Sequence, residues 1–312
     1  MLLSKIRVSI AKLILPILYK FLQMLKANTR TVNFLTNKKI YANNYYDFQK
    51  DIESLLEDKK LIGLDAGAQG GFNSDKFFPE IYNKYFETVL VEPLKNSLKE
   101  GESKYIINKG LWSSKGSRKL YILDKRPQSS SMYEPNKDSL AIYDFKEKDL
   151  KLFEVGKTEM VDCDTLDSSL KKLKINNLDY LKIDTQGAEL EILRGLGEYK
   201  PLMIKCEIQI FPMYKKEPSW TEVIDFLYKL GYIVTDWRDI GSHATRTPVE
   251  MDMVFIPNFL ADSGKKLILE KEKEFISLML ISGQIKLLKK VSKILDFKNS
   301  QLYLKTEDKY FD

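Results

Sequence analysis

The sequence predicts an α/β protein built on a doubly wound, mostly parallel sheet, and three segments carry that prediction. In Leu61-Ile-Gly-Leu-Asp-Ala-Gly-Ala-Gln-Gly-Gly, an apolar run ends on Asp65 and glycines follow at 67 and 71. This reads as a strand, a tight turn and then a helix. A second apolar run, Thr88-Val-Leu-Val-Glu-Pro, also ends on an acid, Glu92. The third, Leu178-Asp-Tyr-Leu-Lys-Ile-Asp-Thr-Gln-Gly-Ala-Glu-Leu-Glu-Ile-Leu-Arg-Gly-Leu, holds a strand ending at Asp184, a turn at Gly187 and a helix from Ala188. Strands alternating with helices in this way build parallel sheets covered on both faces.

The elements follow in order. Asn43 to Leu56 reads as a helix with Tyr46, Ile52, Leu55 and Leu56 as apolar contacts. Strand one is Leu61 to Asp65, with a helix over about Phe72 to Tyr82 interrupted by Pro79, whose free N–H groups would point at the turn. Strand two, Thr88 to Val91, is followed by a helix; Tyr105 to Trp112 is strand three and Lys119 to Leu123 an extra strand. Leu178 to Ile183 is strand four, with its helix at Ala188 to Leu196. Pro201 to Ile210, apolar throughout most of its length, suits a central parallel position. A helix near Trp220 to Leu230 leads to strand six, Tyr232 to Trp237, and Met251 to Ile256 closes the sheet.

Ligands of such sheets sit at the carboxyl ends of the strands, where Asp65, Glu92, Asn108 and Asp184 converge. Gly67 and Gly71 let the backbone turn sharply and approach a ligand. Glu92 lies at about the spacing, ~20 residues past the turn, where an acid takes the hydroxyls of a ribose. A dinucleotide fingerprint, Gly-x-Gly-x-x-Gly, would place a glycine where Gln69 stands. Asp65 would repel a pyrophosphate but suits a cationic ligand. S-adenosylmethionine, with its sulfonium and ammonium, therefore fits better than a nicotinamide dinucleotide. An ordinary strand–turn–helix remains the plain reading of the turn alone, and the spacing of Glu92 counts against it.

With the Leu178 to Leu196 block, the Asp65 to Gly71 turn and Val91-Glu92-Pro93, the chain resembles the FkbM-type family of S-adenosylmethionine-dependent methyltransferases. Asn108-Lys-Gly-Leu-Trp, Ser129-Ser-Ser-Met-Tyr-Glu-Pro-Asn, Val161-Asp-Cys-Asp-Thr-Leu-Asp and Asp252-Met-Val-Phe add to the resemblance, which covers about Leu61 to Pro257. Lys182 to Leu193 is its most specific part. Gln69 departs from the family's usual Asn, an amide for an amide. The resemblance implies a class I methyltransferase (Rossmann-like) fold, a seven-stranded doubly wound sheet with the last strand antiparallel, and methyl transfer to an oxygen of a sugar, glycan or related small metabolite.

The expected cofactor residues are Asp65, Gly67, Gln69, Gly71, Glu92, Asn108 and Asp162. Glu92 takes the ribose diol, Asp65 the methionine end through water, and Asp162 or Asp164 the adenine amine. Since a sulfonium is already activated, the acceptor hydroxyl needs positioning and a base. Asp184 is the preferred carboxylate, with Lys182 beside it. His243, in a polar loop with Arg238 and Arg246 near it, is the rival. Glu189 and Glu207 are further acids. Glu189 reads equally well as a first-turn acid that stabilises its own helix, and Lys182 as a packed stem paired with Asp184 or Glu207. The Ser129 to Tyr133 loop covers the site or is a plain surface turn; Tyr133 could stack on sugar or adenine.

The chain has 312 residues, 44% hydrophobic and 30% charged, enough for one good-sized core with extensions. Two cysteines, Cys163 and Cys206, and one histidine argue against a disulfide scaffold or a structural metal, and for a cytoplasmic protein. The net charge of +6 is uneven: residues 1–46 carry +8, residues 264–298 carry +5, and residues 47–263 carry −6. A nucleic-acid methyltransferase would instead surround its active site with basic groups. Residues 57–260 are expected to form the methyltransferase domain, between a basic amphipathic N-terminal extension, 1–56, and a lysine-rich helical C-terminal one, 261–312. Lys12 and Lys20 leave only seven residues between them, too few to span a bilayer, and no cleavage site follows the apolar run. A helix kinked at Pro16 can lie on the inner face of an anionic membrane or pack on the protein itself. The two ends could pack together or mediate a homodimer. A catalytically silent module of the same fold, attached through its basic ends to membrane-bound glycan machinery, is the alternative from another class.

Overall fold

The computed structural model describes residues 48–94, 98, 103–142, 147–239 and 249–299. The N-terminal amphipathic segment, the helix expected after strand two, His243 and Arg246 lie outside the described residues.

Among the described residues, ten strands form two sheets. The seven-stranded sheet contains β1 (Leu61–Ala66), β2 (Phe86–Val91), β3 (Tyr105–Ile107), β7 (Tyr180–Ile183), β8 (Met203–Gln209), β9 (Tyr232–Asp239) and β10 (Glu250–Pro257). Its order is β3-β2-β1-β7-β8-β10-β9. β1 pairs in parallel with β2 and β7, and β7 with β8, whereas β10 is inserted antiparallel between β8 and β9. This is the doubly wound, Rossmann-like sheet with an antiparallel last strand that the sequence predicts. β4 (Gly110–Leu111), β5 (Gly116–Ile122) and β6 (Lys157–Asp164) make a small second sheet, order β4-β6-β5.

Alternate side chains of the large sheet feed two cores, as the period of two requires. Leu64, Leu181, Ile204 and Phe255 join the helices α4 (Leu166–Lys172), α5 (Glu189–Arg194) and α6 (Trp220–Lys229) on one face. Between β5 and β6 lie α2 (Lys137–Ile142) and α3 (Glu147–Leu150). α6 starts on a capping box, in which Ser219 accepts from the Glu222 backbone and Glu222 accepts from that of Ser219. Leu61, Phe86, Tyr180, Met203 and Val254 face the other way. They meet α1 (Gln49–Leu56) and three C-terminal helices, α7 (Asp262–Glu270), α8 (Glu272–Ile281) and α9 (Ile285–Leu295). The apolar positions Phe275, Leu278, Met279, Leu288 and Val291 of the lysine-rich C-terminal segment are thus buried against this chain's own sheet. Among the described residues, no helix is long and apolar enough to cross a membrane.

Three local expectations are corrected. No α-helix follows β1: residues 72–79 coil, and a 3-10 turn over Glu80–Tyr85 comes next. Asn73 and Lys76 adopt left-handed φ angles of 57° and 55°, and the Asn73 side chain donates to the Phe78 carbonyl and accepts from its N–H. Phe72 and Phe78 pack with Phe86 and Tyr180. Local side-chain bonds and aromatic burial outweigh helix formation there. Strand three is broken in two: β3 stays with β2, while Gly110 turns to pair with Cys163 in the small sheet. Asp162 and Asp164, expected at the adenine amine, lie on a strand that the sequence pattern does not predict, β6.

Candidate active site

A cleft, partly open to solvent, lies at the carboxyl ends of β1, β2 and β7. Ala66, Gly67 and Gln69 form its floor; Val91, Glu92 and Leu94 one side; Asp184, Thr185, Gln186, Ala188 and Ile192 the other. Lys109, Gly110, Leu111 and Leu120 close it from the small sheet, together with the loop residues Pro127, Gln128, Ser130, Ser131 and Met132. That loop is pinned to β5 by reciprocal backbone bonds between Tyr121 and Ser131, of 2.8 and 3.2 Å.

The turn after β1 is pressed against the end of β7. Gly67 has φ +84°, and a Cβ there would stand 1.9 Å from the Asp184 carbonyl oxygen. Its N–H donates to Val91, and the Asp184 N–H donates to Ala66, so three strands close around one glycine. No side chain fits at this point, so the backbone itself forms the floor.

Glu92 is 6% exposed and lines the cleft. One carboxyl oxygen accepts the Leu94 N–H at 2.9 Å, and no other described residue donates to it. Burial pushes its pKa up to about 6, the Leu94 N–H opposes this, and the Asp65 charge adds to it. A buried carboxyl with spare acceptor capacity suits a ligand that brings hydroxyl donors, as the diol of a ribose does.

Asp184 lines the cleft with its side chain 24% exposed. The Lys182 ammonium stands 3.5 Å from it and 3.0 Å from Asp65. Lys182 and Asp65 are 2% and 0% exposed and do not line the cleft. Burial disfavours the Lys182 charge, but Asp65, Asp184 and Asp75 outweigh it and hold the pKa above the ordinary lysine value. Lys182 therefore acts on the site through Asp184, and Asp65 through Lys182. Glu189 accepts from Thr185 N–H and Oγ1, both at 3.0 Å, and from Gly187 N–H at 3.2 Å, while burial raises its pKa to about 7. It braces the turn after β7 and is absent from the cleft wall.

Of the remaining expected cofactor residues, Gln69 lines the cleft; Gly71, Asn108 and Asp162 do not. Asn108 and Asp162 are exposed, and Asp164 is buried in an ion pair with Lys172. The break between β3 and β4 puts Lys109 and Gly110 on the wall in place of Asn108. Arg238 lies on β9. Ser130, Ser131 and Met132 line the cleft, and Tyr133 lies just behind, tilted against Trp112 with ring centres 5.6 Å apart. Cys163 and Cys206 are buried free thiols. Among the described residues, no group of acids, cysteines and histidines is arranged to hold a metal ion.

Sequence reasoning missed Gln186. It lines the cleft beside Asp184, is 7% exposed, and has a left-handed φ of 58°. The only signal was its place in the Asp-Thr-Gln-Gly turn; its partners Glu207 and Tyr214 are remote in sequence. Residues 65–234, which contain every described wall residue, match the family model of the methyltransferase FkbM domain. No curated protein matches the chain.

Proposed function

The chain belongs to the FkbM methyltransferase family, matched over more than half its length, and from that premise we propose an S-adenosylmethionine-dependent O-methyltransferase acting on a sugar, glycan or related small metabolite. The observation that carries this reading is the pairing of Glu92 and Asp184 on opposite sides of one cleft, across the side-chain-free Gly67 turn. The strand order β2-β1-β7 sets these two acids two strand spacings apart, about 10 Å. That separation suits a ligand with a ribose on one side and a positively charged sulfur on the other.

When bound, S-adenosylmethionine supplies a methyl group on a positively charged sulfur. Glu92 accepts the ribose hydroxyls, and the Gly67 turn lets the ligand lie against the backbone. Asp184 would accept the proton of the acceptor hydroxyl. Lys182 helps to keep Asp184 in place. The seryl loop, Ser130 and Ser131, offers hydroxyls to a polar acceptor.

Calorimetric titration of the purified protein with S-adenosylmethionine and with NAD tests the cofactor. Saturable binding of the former alone, lost in Glu92→Ala with the fold intact, supports the reading and justifies screening sugar acceptors. Binding of neither would favour a silent module of the same fold.

A further inference from the structure

Gln186 makes more specific hydrogen bonds than any other side chain described on the cleft wall. Its Nε2 donates to Asp184 Oδ1 at 3.2 Å and to Glu207 Oε1 at 2.7 Å. Its Oε1 accepts from the Tyr214 hydroxyl at 2.8 Å, and its backbone carbonyl accepts from Ser131 Oγ at 2.5 Å. Both amide N–H groups are thus used by two carboxyl groups, which accept and fix the O and N orientation, while the amide oxygen shares the Tyr214 hydroxyl with the Ser129 carbonyl. Glu207 and Tyr214 are themselves buried, at 8% and 1% exposure, so the anchor is rigid. A non-glycine residue held at φ 58° in a cleft wall marks a conformation that the surroundings impose.

We propose that Gln186 is the positioning residue that aims the Asp184 carboxylate at the cationic end of the cofactor, and that the cleft thereby distinguishes S-adenosylmethionine from its product, S-adenosylhomocysteine. This rests on the cofactor reading above. The two ligands differ by one methyl and one positive charge on sulfur. A carboxylate fixed near the sulfur attracts the first and gains nothing from the second. Without Gln186, Asp184 keeps only Lys182 as a partner and is free to swing toward that ammonium, 3.5 Å away. The same residue ties the Asp184 turn to the seryl wall through Ser131, so acceptor wall and carboxylate are set by one side chain and its backbone.

The test compares the affinities of S-adenosylmethionine and S-adenosylhomocysteine by calorimetry in wild type, Gln186→Leu and Gln186→Glu, with thermal melts of each. In Gln186→Leu the preference for the sulfonium should fall about tenfold, the size of one charge-assisted hydrogen bond. S-adenosylhomocysteine affinity should stay near the wild-type value, which a merely loosened fold would not give. Gln186→Glu keeps an acceptor for Tyr214 but can donate only when protonated. It stands among Asp184, just past β7, Lys182 of β7, Glu207 and Lys205 of β8, Glu250 and Asp252 of β10, and Tyr214 and Glu217 of the β8–α6 loop. Its ligand preference should therefore recover as the pH is lowered, a dependence that Gln186→Leu should lack. An unchanged ratio in both folded variants overturns the proposal, as does an equal loss of both ligands. If wild type binds neither ligand, the cofactor reading itself fails, which is a separate result.

Discussion

Replacing Glu92 by Gln should make the ligand-free protein more stable while making it a poorer binder of S-adenosylmethionine. Burial raises the pKa of Glu92 from its ordinary 4.5 to about 6. A carboxyl whose folded pKa lies above its unfolded value contributes stability that is present below the unfolded value. That contribution is lost as the pH rises through the folded one. The window is therefore pH 4.5 to 6, and above it the ionised, buried Glu92 costs the fold. A shift of this size corresponds to about 2 kcal/mol at pH 7.5. Gln is isosteric, and its oxygen can still accept the Leu94 N–H, so the variant removes the charge and little else.

Binding moves the other way. A charged acceptor that bonds the ribose hydroxyls is worth about 1.5–3 kcal/mol, so Glu92→Gln should weaken S-adenosylmethionine about 10- to 100-fold. Wild-type affinity should also decline as the pH falls below about 6, because protonation removes an acceptor, and the variant should not share that decline. Urea unfolding at pH 7.5 and pH 4.5 gives the first quantity, with the stabilisation shrinking at the lower pH. Calorimetry across the same range gives the second. A variant that is less stable at pH 7.5 and binds S-adenosylmethionine as well as wild type would refute the assignment of Glu92 to the ribose.

Gly67→Ala forces a Cβ into the Asp184 carbonyl at φ +84°; it should lower the melting temperature and abolish saturable cofactor binding in calorimetry. Lys182→Met leaves Asp65 and Asp184 facing each other without their ammonium. Urea unfolding at pH 7.5 should show a loss of about 3–5 kcal/mol, shrinking as the pH is lowered and Asp65, whose pKa burial raises, protonates. Deleting residues 1–30, which hold six basic residues and no acid, should abolish sedimentation with anionic vesicles and leave cofactor affinity unchanged. Aggregation of the truncated chain would instead assign that segment to core packing.

The sheet was legible because each strand of its centre is an apolar run with a stop: Asp65 and Gly67 after β1, Glu92 and Pro93 after β2, Asp184 and Gly187 after β7. The cleft opens at those stops, so the Gly67, Glu92 and Asp184 positions on its wall could be read together with the fold. The absence of a helix after β1 was not legible, because Phe72 and Phe78 are drawn under the sheet by Phe86 and Tyr180, contacts that no local pattern displays. β6 was missed because its first four residues are exposed, and alternation begins only near Val161. Asn108 and Asp162 were placed by motif position alone. A two-residue shift at the β3–β4 break, and the outward face of β6, put both beyond the cleft. Gln186 needed three partners from separate elements before its role could be seen.

The buried charges explain why Asp65 matters although it never reaches the cleft. Asp65, Lys182 and Lys205 stand in register on adjacent strands β1, β7 and β8, on the same face as Tyr180 and Met203. Asp75 and Asp252 each lie 2.5 Å from the Lys205 ammonium, and both lysines are at most 2% exposed. Two like charges on neighbouring strands repel, and each is held only because carboxylates flank it. Buried ion pairs contribute little net stability compared with apolar packing. An apolar row at the same register would extend the aromatic core below and fold as well. What the charged row supplies is a fixed direction: Lys182, locked by Asp65 on one side, has one remaining carboxylate within reach, Asp184. With Gln186 holding the other oxygen of that carboxylate, the sheet's buried face and the cleft wall constrain Asp184 from two directions. Asp65 therefore bears on the position of Asp184 without reaching the cleft itself.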